Sequence, residues 1–443
     1  MLIDLIEFSR LMAEIGLESN TNARKPRFLF LSHRFPYPPI GGDRVKAYHL
    51  LRHLSKVADV DVISLDEVGN ATPTPPALQE LRSIEVVPFN KVRAGLRILG
   101  SLPISTPIEF AYYYEPAMKR AVTQALATHS YDLIICFFLR TAEYVKGIRG
   151  IPKLLIAEDA RVILQERASK RFELSPQWIV RKIDALKLRE YEPKIMAKGF
   201  DLVTFVAEED RQRINAFDPR IPTEILTNGV DLKDFPVIAG PRKNQIVFAG
   251  HLGVYHNRLM AERLIHRIFP LIRKSSPETR LLIVGKEPSA TLAELVKSTS
   301  GAELHPNVPS VNQFIGESSV FVHPQEVGAG IQNKLLETMA IGTPVITTPV
   351  GANGIEGLAS GVNALIGVSD EEIASFTLGL LKDKHFASLL AENARKLIET
   401  YYTWECVFTK LDLMVSQLTS GSHTGSTSEL HVPTSKINVP TNG

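Results

Sequence analysis

The sequence is poor in the features that mark several classes of protein. It has two cysteines among 443 residues, too few for a disulfide framework or a multi-cysteine zinc site. Cys136 and Cys406 both fall in apolar stretches, which predicts buried thiols in a reduced compartment. No apolar run approaches the roughly 20 residues of a membrane-spanning helix. The first residues also lack the basic leader and unbroken apolar stretch of a signal peptide. We therefore expect a cytoplasmic protein.

The charges are nearly balanced. Lysine and arginine number 50 against 48 aspartates and glutamates, and the formal net charge of +2 indicates no nucleic-acid partner. Hydrophobic residues make up 44% of the chain and charged residues 22%, which is typical of a globular protein. At 443 residues the chain is long enough for two or three domains.

Buried strands alternate with helices in two successive rounds. Apolar runs at 28–31 and 133–138 in the first half are matched by runs at 246–250 and 281–285 in the second. This alternation predicts an α/β protein with two Rossmann-like parallel-sheet domains that face each other across a cleft. The predicted segments are an N-terminal helix and linker (1–26), a first domain (27–236), a second domain (237–395), a helix that crosses back to the first domain (396–419) and a disordered tail (420–443).

The stretch 328–351 has the strongest local pattern. A glycine loop at 328–330 precedes apolar residues four apart, namely Ile331, Leu335 and Met339. Gly342 is typical of a helix end, and an apolar strand follows. A helix that starts at a glycine loop offers free N–H groups and a positive dipole end to a phosphate, and Glu337 could bind a ribose. The alternative is an ordinary packed helix with solvated polar side chains.

Loops after strands of the first half hold further candidates. Gly41 and Gly42 follow the first strand and would let the backbone approach a phosphate or a sugar, although the same residues would also suit a plain turn. Arg140, Glu158 and Asp159 follow two other predicted strands. Because the carboxyl ends of parallel strands share one edge, we expect these three side chains to contact an acceptor.

Two other patterns are weaker. Asp59 and Asp61 form an acid-x-acid pattern, but they open a strand instead of closing it. We therefore expect them to be solvated and to bind no metal. The basic amphipathic segment 91–99 could contact an anionic membrane, or it could be the solvated face of a helix.

Several motifs together resemble the group 1 (family 4) glycosyltransferases of the GT-B fold, and most closely the sugar transferases of exopolysaccharide systems. The motifs are Pro-Tyr-Pro-Pro at 36–39 with Gly-Asp-Arg at 42–44, Asn-Gly-Val-Asp at 228–231, Phe-Ala-Gly at 248–250, Ile-Val-Gly at 283–285 and, most specifically, the run at 330–345. The resemblance covers about residues 27–410.

The resemblance implies transfer of a sugar from a nucleotide-sugar donor to a saccharide or lipid-linked acceptor, with retention of configuration and without metal or another cofactor. The donor would lie mainly on the second domain. The protein itself could contact the inner face of a membrane peripherally. The catalytic residues it implies are Lys334, Glu337, Asp159 and Arg140. The donor-binding residues are Gly41, Gly42, Gly250, His251, Asn257, Arg258, Gly285, Gly330, Ile331, Gln332, Asn333, Lys334 and Glu337.

The sequence departs from the family pattern at two places. The family has two glutamates with seven residues between them; Glu337 is the second, and Ala329 stands in the place of the first. His251 and Asn257, with Arg258 adjacent, occupy the places of a basic pair. Two alternatives stay open: a nucleotide-sugar epimerase of the same fold, and a non-catalytic, donor-binding partner of another transferase, which Ala329 suggests.

Overall fold

A computed structural model describes residues 24–66, 78–101, 105–170, 176–328 and 330–420. The predicted N-terminal helix, almost all of the predicted tail and Ala329 lie outside these residues. Among the helices of the described ranges, none is long and apolar enough to cross a membrane.

The first domain is built on a parallel sheet of seven strands in the order β3-β2-β1-β4-β5-β6-β7. Helices cover both faces of the sheet, so the central strands are apolar at almost every position. The strands are β1 (Arg27–Ser32), β2 (Asp59–Asp66), β3 (Ser83–Pro88), β4 (Leu133–Phe137), β5 (Lys153–Glu158), β6 (Leu202–Phe205) and β7 (Thr223–Ile225). The helices are α1 (Gly42–Val57), α2 (Lys91–Ser101), α3 (Ile108–Tyr113), α4 (Pro116–Thr128), α5 (Ala142–Val145), α6 (Arg161–Lys170), α7 (Pro176–Gly199) and α8 (Glu208–Asn215).

The second domain repeats this design with a parallel sheet of six strands in the order β10-β9-β8-β11-β12-β13. The strands are β8 (Lys243–His251), β9 (Arg280–Lys286), β10 (Ala302–Pro306), β11 (Ser318–His323), β12 (Val345–Thr347) and β13 (Leu365–Ile366). The helices are α9 (Tyr255–Arg263), α10 (Phe269–Ser275), α11 (Ala290–Ser298), α12 (Asn312–Glu317), α13 (Asn333–Ile341), α14 (Pro349–Ala352), α15 (Asp370–Lys382) and α16 (Lys384–Tyr401). A short π-helix, Leu264–Ile268, joins α9 to α10.

The strand order reverses once in each sheet, between β1 and β4 and between β8 and β11. Ligands of open parallel sheets bind beside such reversals, outside the carboxyl ends of the strands. Segments that follow strands of the two domains contact each other, so the carboxyl edges of both sheets border one cleft.

The last helix, α17 (Trp404–Thr419), returns to the first domain as predicted. Its apolar face repeats every three or four residues, and it packs with Phe28, Leu50 and other side chains of the first core. The return happens at Tyr402, whose carbonyl accepts a 2.8 Å hydrogen bond from the amide of Val230.

Three details of the prediction are wrong. Cys406 is only half-buried, unlike the buried Cys136. Helix α13 begins at Asn333 and not at the glycine loop, so Ile331 lies outside it, although Gly342 ends the helix in the left-handed conformation as predicted. Asp61 is buried, not solvated, because the guanidinium of Arg27 lies 2.6 Å from its carboxylate at the amino end of the sheet. This ion pair belongs to the core and is remote from the cleft.

Candidate functional site

The edge of the first domain beside its strand reversal is lined by His33 after β1 and Phe138 after β4. Their ring centroids are 4.3 Å apart. His33 Nε2 lies 3.4 Å from the carboxylate of Asp43, in the first turn of α1 after Gly41 and Gly42. Burial lowers the pKa of His33 to about 4, so the imidazole is neutral at neutral pH. Burial alone would raise the pKa of Asp43, but the hydrogen bond and charge of its neighbours lower it.

The predicted residues Arg140 and Asp159 belong to one network of charges. Glu109 accepts from Arg140 Nε at 2.6 Å and from Arg161 Nη2 at 2.8 Å, and Arg161 Nη1 lies 3.3 Å from Asp159. Burial favours the protonated form of Glu109, but the two guanidinium groups hold the pKa of Glu109 well below its usual range. Arg140 is also packed over the ring of Tyr113. Asp159, at 18% side-chain exposure against 12% for Arg140, is the more accessible of the two predicted residues.

The third predicted acceptor contact, Glu158, is engaged inside the domain. Lys46 Nζ lies 2.6 Å from Glu158 Oε1 and donates a 2.7 Å hydrogen bond to the carbonyl of Leu226. The lysine side chain is 1% exposed and the glutamate 11%. Lys46 was not predicted from the sequence, because its partners are distant in the chain.

Two predicted glycines of the second domain pack against each other where β8 and β9 end. A Cβ built on Gly285, whose φ is +155°, would lie 1.7 Å from the carbonyl oxygen of Gly250. Asn257 donates from Nδ2 to the carbonyl of His251 at 3.1 Å, which fixes the following loop. Gly285 is buried and Gly250 is half-buried, so of the two only Gly250 offers backbone that a ligand could approach.

The start of α13 presents the other predicted donor residues of the second domain. Gln332 occupies the N-cap position without a side-chain cap, so backbone N–H groups of the first turn stay free of a capping side chain. Lys334 and Glu337 form an ion pair one turn apart, with side chains 29% and 22% exposed. The pair therefore joins an ammonium group and a carboxylate, both accessible to solvent, at the positive end of a helix.

The segment at 330–333 lies against several residues of the first domain. Asn228 Nδ2 donates a 2.6 Å hydrogen bond to Asn333 Oδ1. A Cβ built on Gly42 would lie 3.0 Å from Asn333 Nδ2, and one on Gly330 would lie 3.7 Å from Cβ of Asp159. The structure thus brings Gly42, Asp159, Gly330 and Asn333 together, residues that the sequence places in three separate motifs.

Other predicted residues do not join this contact. Arg258 lies 3.6 Å from Glu262 on its own helix. His251 Nε2 lies 3.8 Å from Glu287, and Ile331 packs on the core of the second domain.

The sequence also missed a second contact between the domains. Arg167 on α6 donates a 2.7 Å hydrogen bond to the carbonyl of Gly328. Glu209 on α8 accepts hydrogen bonds from Arg167 and from Asn353 of the second domain. No local pattern marks these residues, because each reads as an ordinary charged or polar residue of a solvated helix face or turn.

The described residues were also compared with the requirements of a metal site, and one groove lies outside the cleft. No group of three or more histidine, cysteine, aspartate or glutamate side chains in these ranges could hold a metal ion. A groove of about 710 Å³ lies at the amino edge of the second sheet, lined in part by Arg242, Lys384 and Arg395. Arg242 and Arg395 donate to carbonyls at the ends of α12 and α13, which makes them structural cations.

Parts of this chain are similar to known sequences. Residues 243–383 match the family model described as group 1 glycosyl transferases. An uncharacterized 44.6 kDa protein of the cps region of Klebsiella pneumoniae is 23% identical over 173 residues, 38% of this chain and 44% of that protein. A phosphatidyl-myo-inositol mannosyltransferase of Propionibacterium freudenreichii is 24% identical over 131 residues, 29% of this chain and 33% of that enzyme. The matches span less than half of either curated relative.

Solved structures match nearly the whole chain. Sucrose-phosphate synthase from Thermosynechococcus elongatus superposes with a TM-score of 0.69 at 18% identity, over 90% of this chain and 100% of that one. HepE of Anabaena in complex with UDP superposes with a TM-score of 0.64 at 14% identity, over 88% of this chain and 100% of that one. The predicted GT-B fold and the resemblance to group 1 glycosyltransferases are confirmed.

Proposed function

We propose that this protein transfers a sugar from a nucleotide-sugar donor to an acceptor hydroxyl in the assembly of a polysaccharide or glycolipid, with retention of configuration. The observation that supports this most directly is the meeting of the 330–333 segment with Gly42, Asp159 and Asn228 across the cleft. A donor bound at the start of α13 would lie against the first-domain edge that would hold the acceptor.

The donor would occupy the carboxyl edge of the second sheet. Gly250 and Gly285 pack closely where the two strands end, so a nucleotide would meet the half-buried Gly250, and Glu337 is the carboxylate for its ribose. Lys334, beside Glu337, would turn its ammonium to the diphosphate. UDP in the HepE structure supports a nucleoside diphosphate as the ligand class.

In the proposed reaction the bond between the sugar C1 and the diphosphate oxygen breaks, and C1 forms a bond to the acceptor oxygen on the same face. The acceptor proton passes to the departing diphosphate. The negative charge that develops there is stabilised by the α13 amides and Lys334, in the manner of a preorganised oxyanion site. The step needs no resident metal or cofactor.

The main alternative is a donor-binding protein without transfer activity. Ala329 supports it, because the family's first glutamate is absent at that position. An epimerase would instead isomerise the donor without any acceptor.

Incubation with a panel of nucleotide sugars, with and without a lipid or saccharide extract, separates these functions. Nucleotide release that needs the extract supports transfer, and an isomerised donor supports an epimerase. Binding without release supports a donor-binding protein without transfer activity. For transfer, we expect Lys334→Ala and Glu337→Ala each to abolish turnover without unfolding the protein. Lys297→Ala, at an exposed lysine of α11, is the matched control and should keep wild-type turnover. Wild-type turnover in both site variants would contradict the assignment.

We also propose peripheral contact with the inner face of a membrane through α2. Val92 and Leu96 are 76% and 65% exposed, next to Lys91 and Arg93, which suits an anionic lipid surface. Arg97 is not part of this face, because it donates to carbonyls of the following helix. The wild type should sediment with phosphatidylglycerol vesicles and not with phosphatidylcholine vesicles. The variant Val92→Ser/Leu96→Ser should no longer sediment with phosphatidylglycerol vesicles. Equal sedimentation of this variant and wild type would contradict the contact.

A further inference from the structure

We propose that Lys46 is a positioning residue that holds three separate segments of the first domain in the arrangement that meets the second domain. Its effect on catalysis rests on the proposed transfer function, whereas its effect on the arrangement of the domains does not. The ammonium group of Lys46 contacts Glu158 and the carbonyl of Leu226, neither of which we assign to the donor.

Lys46 lies one turn after Gly42 on α1, and its side chain is buried. The ammonium group reaches the carboxylate of Glu158 at the end of β5, 2.6 Å away. It also donates at 2.7 Å to the carbonyl of Leu226, which follows β7. One side chain therefore links the start of α1, the end of β5 and the segment that leads to Asn228.

Each of the three linked segments contacts the second domain within four residues of its link. Gly42 lies against Asn333, and Asn228 donates to the same residue. Asp159, directly after Glu158, lies against Gly330. A change at Lys46 would therefore move all three contacts with the segment that would bind the donor diphosphate.

The partners of Lys46 explain why its ammonium group can be buried. A buried ammonium group is tolerated only with a charge partner and hydrogen-bond acceptors, and Lys46 has both. Glu158 has a φ of +72°, which is uncommon for a residue with a side chain. The ion pair and the packing around it oppose relaxation of this backbone conformation, which also sets the direction of Asp159.

The test uses the double variant Lys46→Met/Glu158→Gln, because Lys46→Met alone would leave a buried carboxylate without its partner. Arg27→Met/Asp61→Asn removes another buried ion pair of the same sheet, at the end away from the cleft, and is the matched control. Urea denaturation checks folding, small-angle X-ray scattering measures the radius of gyration without ligand, and titration with UDP and GDP measures nucleotide affinity. Turnover is measured with the donor that the wild type uses.

We expect the Lys46 double variant to fold, to scatter as a more open particle and to lose about 10-fold to 100-fold in kcat, as small misplacements of reacting groups do. Its nucleotide affinity should stay within about twofold of wild type, because the second domain is unchanged. The control should keep the wild-type scattering and kcat. Should the double variant fail to fold, the same shift of scattering is expected, to a smaller degree, in Glu158→Gln.

Wild-type scattering in the folded Lys46 double variant, or the same opening in the control, would overturn the proposal. A wild-type protein that transfers no sugar would contradict the proposed function alone, because the scattering comparison still decides the role of Lys46.

Discussion

Asp210 offers a test of the electrostatics at the edge of the first domain. Its side chain is buried on α8 and accepts a 3.1 Å hydrogen bond from the amide of Ala160. In the described residues, no cation lies within ion-pair distance of it, and Asp159 adds negative charge nearby. Burial and that charge raise the pKa of Asp210 from 3.8 to about 8. The carboxyl group is therefore protonated in the folded protein at neutral pH.

This shift predicts how stability depends on pH. Between pH 3.8 and about 8 the folded protein holds a proton that the unfolded chain has released. The contribution of Asp210 to the free energy of unfolding is complete below the unfolded pKa and is lost as pH rises through the folded pKa. The loss is up to about 1.4 kcal/mol per pH unit.

Asp210→Asn keeps an oxygen that can accept from Ala160 but removes the titration. We expect its free energy of unfolding, relative to wild type, to increase by roughly 2–4 kcal/mol between pH 5 and pH 8. Urea denaturation of both proteins at pH 5, 6, 7 and 8 measures this difference. Parallel pH profiles for the two proteins would refute the reasoning.

Glu109→Gln is a control in which the free energy of unfolding should depend on pH in the opposite direction. Arg140 and Arg161 hold the pKa of Glu109 below its usual range, against the effect of burial. The ionised Glu109 therefore stabilises the folded protein above the pKa of the unfolded chain, and this stabilisation is lost as pH falls through the folded pKa. Glu109→Gln should be less stable than wild type at pH 7, and the difference should shrink toward acid pH. A constant difference would show that the ion pairs do not set its charge.

Gly285→Ala should lower the free energy of unfolding by about 1–3 kcal/mol and weaken nucleotide binding, because its Cβ would collide with the carbonyl of Gly250. Gly379→Ala, in α15 with open space around it, should be neutral or stabilising in the same denaturation assay; equal effects of the two would contradict this packing. Trp404→Ala should cost about 3–5 kcal/mol, because the ring is buried and packs on Gly229 where α17 returns. An unchanged denaturation midpoint would argue against that docking.

Local chemistry made much of the fold predictable from the sequence. Apolar runs such as 246–250 and 281–285 lie between turn signals and read as buried parallel strands, which the structure confirms. Gly342 ends α13 because a glycine adopts the left-handed conformation without strain. The predicted start of the same helix was wrong, because Gly330 in the loop before it lies against Val206 and Asp159 of the other domain. No residue near Asn333 in the sequence reports that contact.

What the sequence determined and what the tertiary structure decided differ in how far apart in the chain the interacting residues lie. The sequence by itself determined the two rounds of strands and helices, the glycines at the cleft and the motif at 330–345, because these depend on neighbouring residues and their periodicity. Tertiary structure alone decided that Lys46 pairs with Glu158 and that Asn228 meets Asn333. These partners lie 112 and 105 positions apart in the chain. Burial makes each polar group require a partner, but only the folded arrangement of the sheets decides which one it finds.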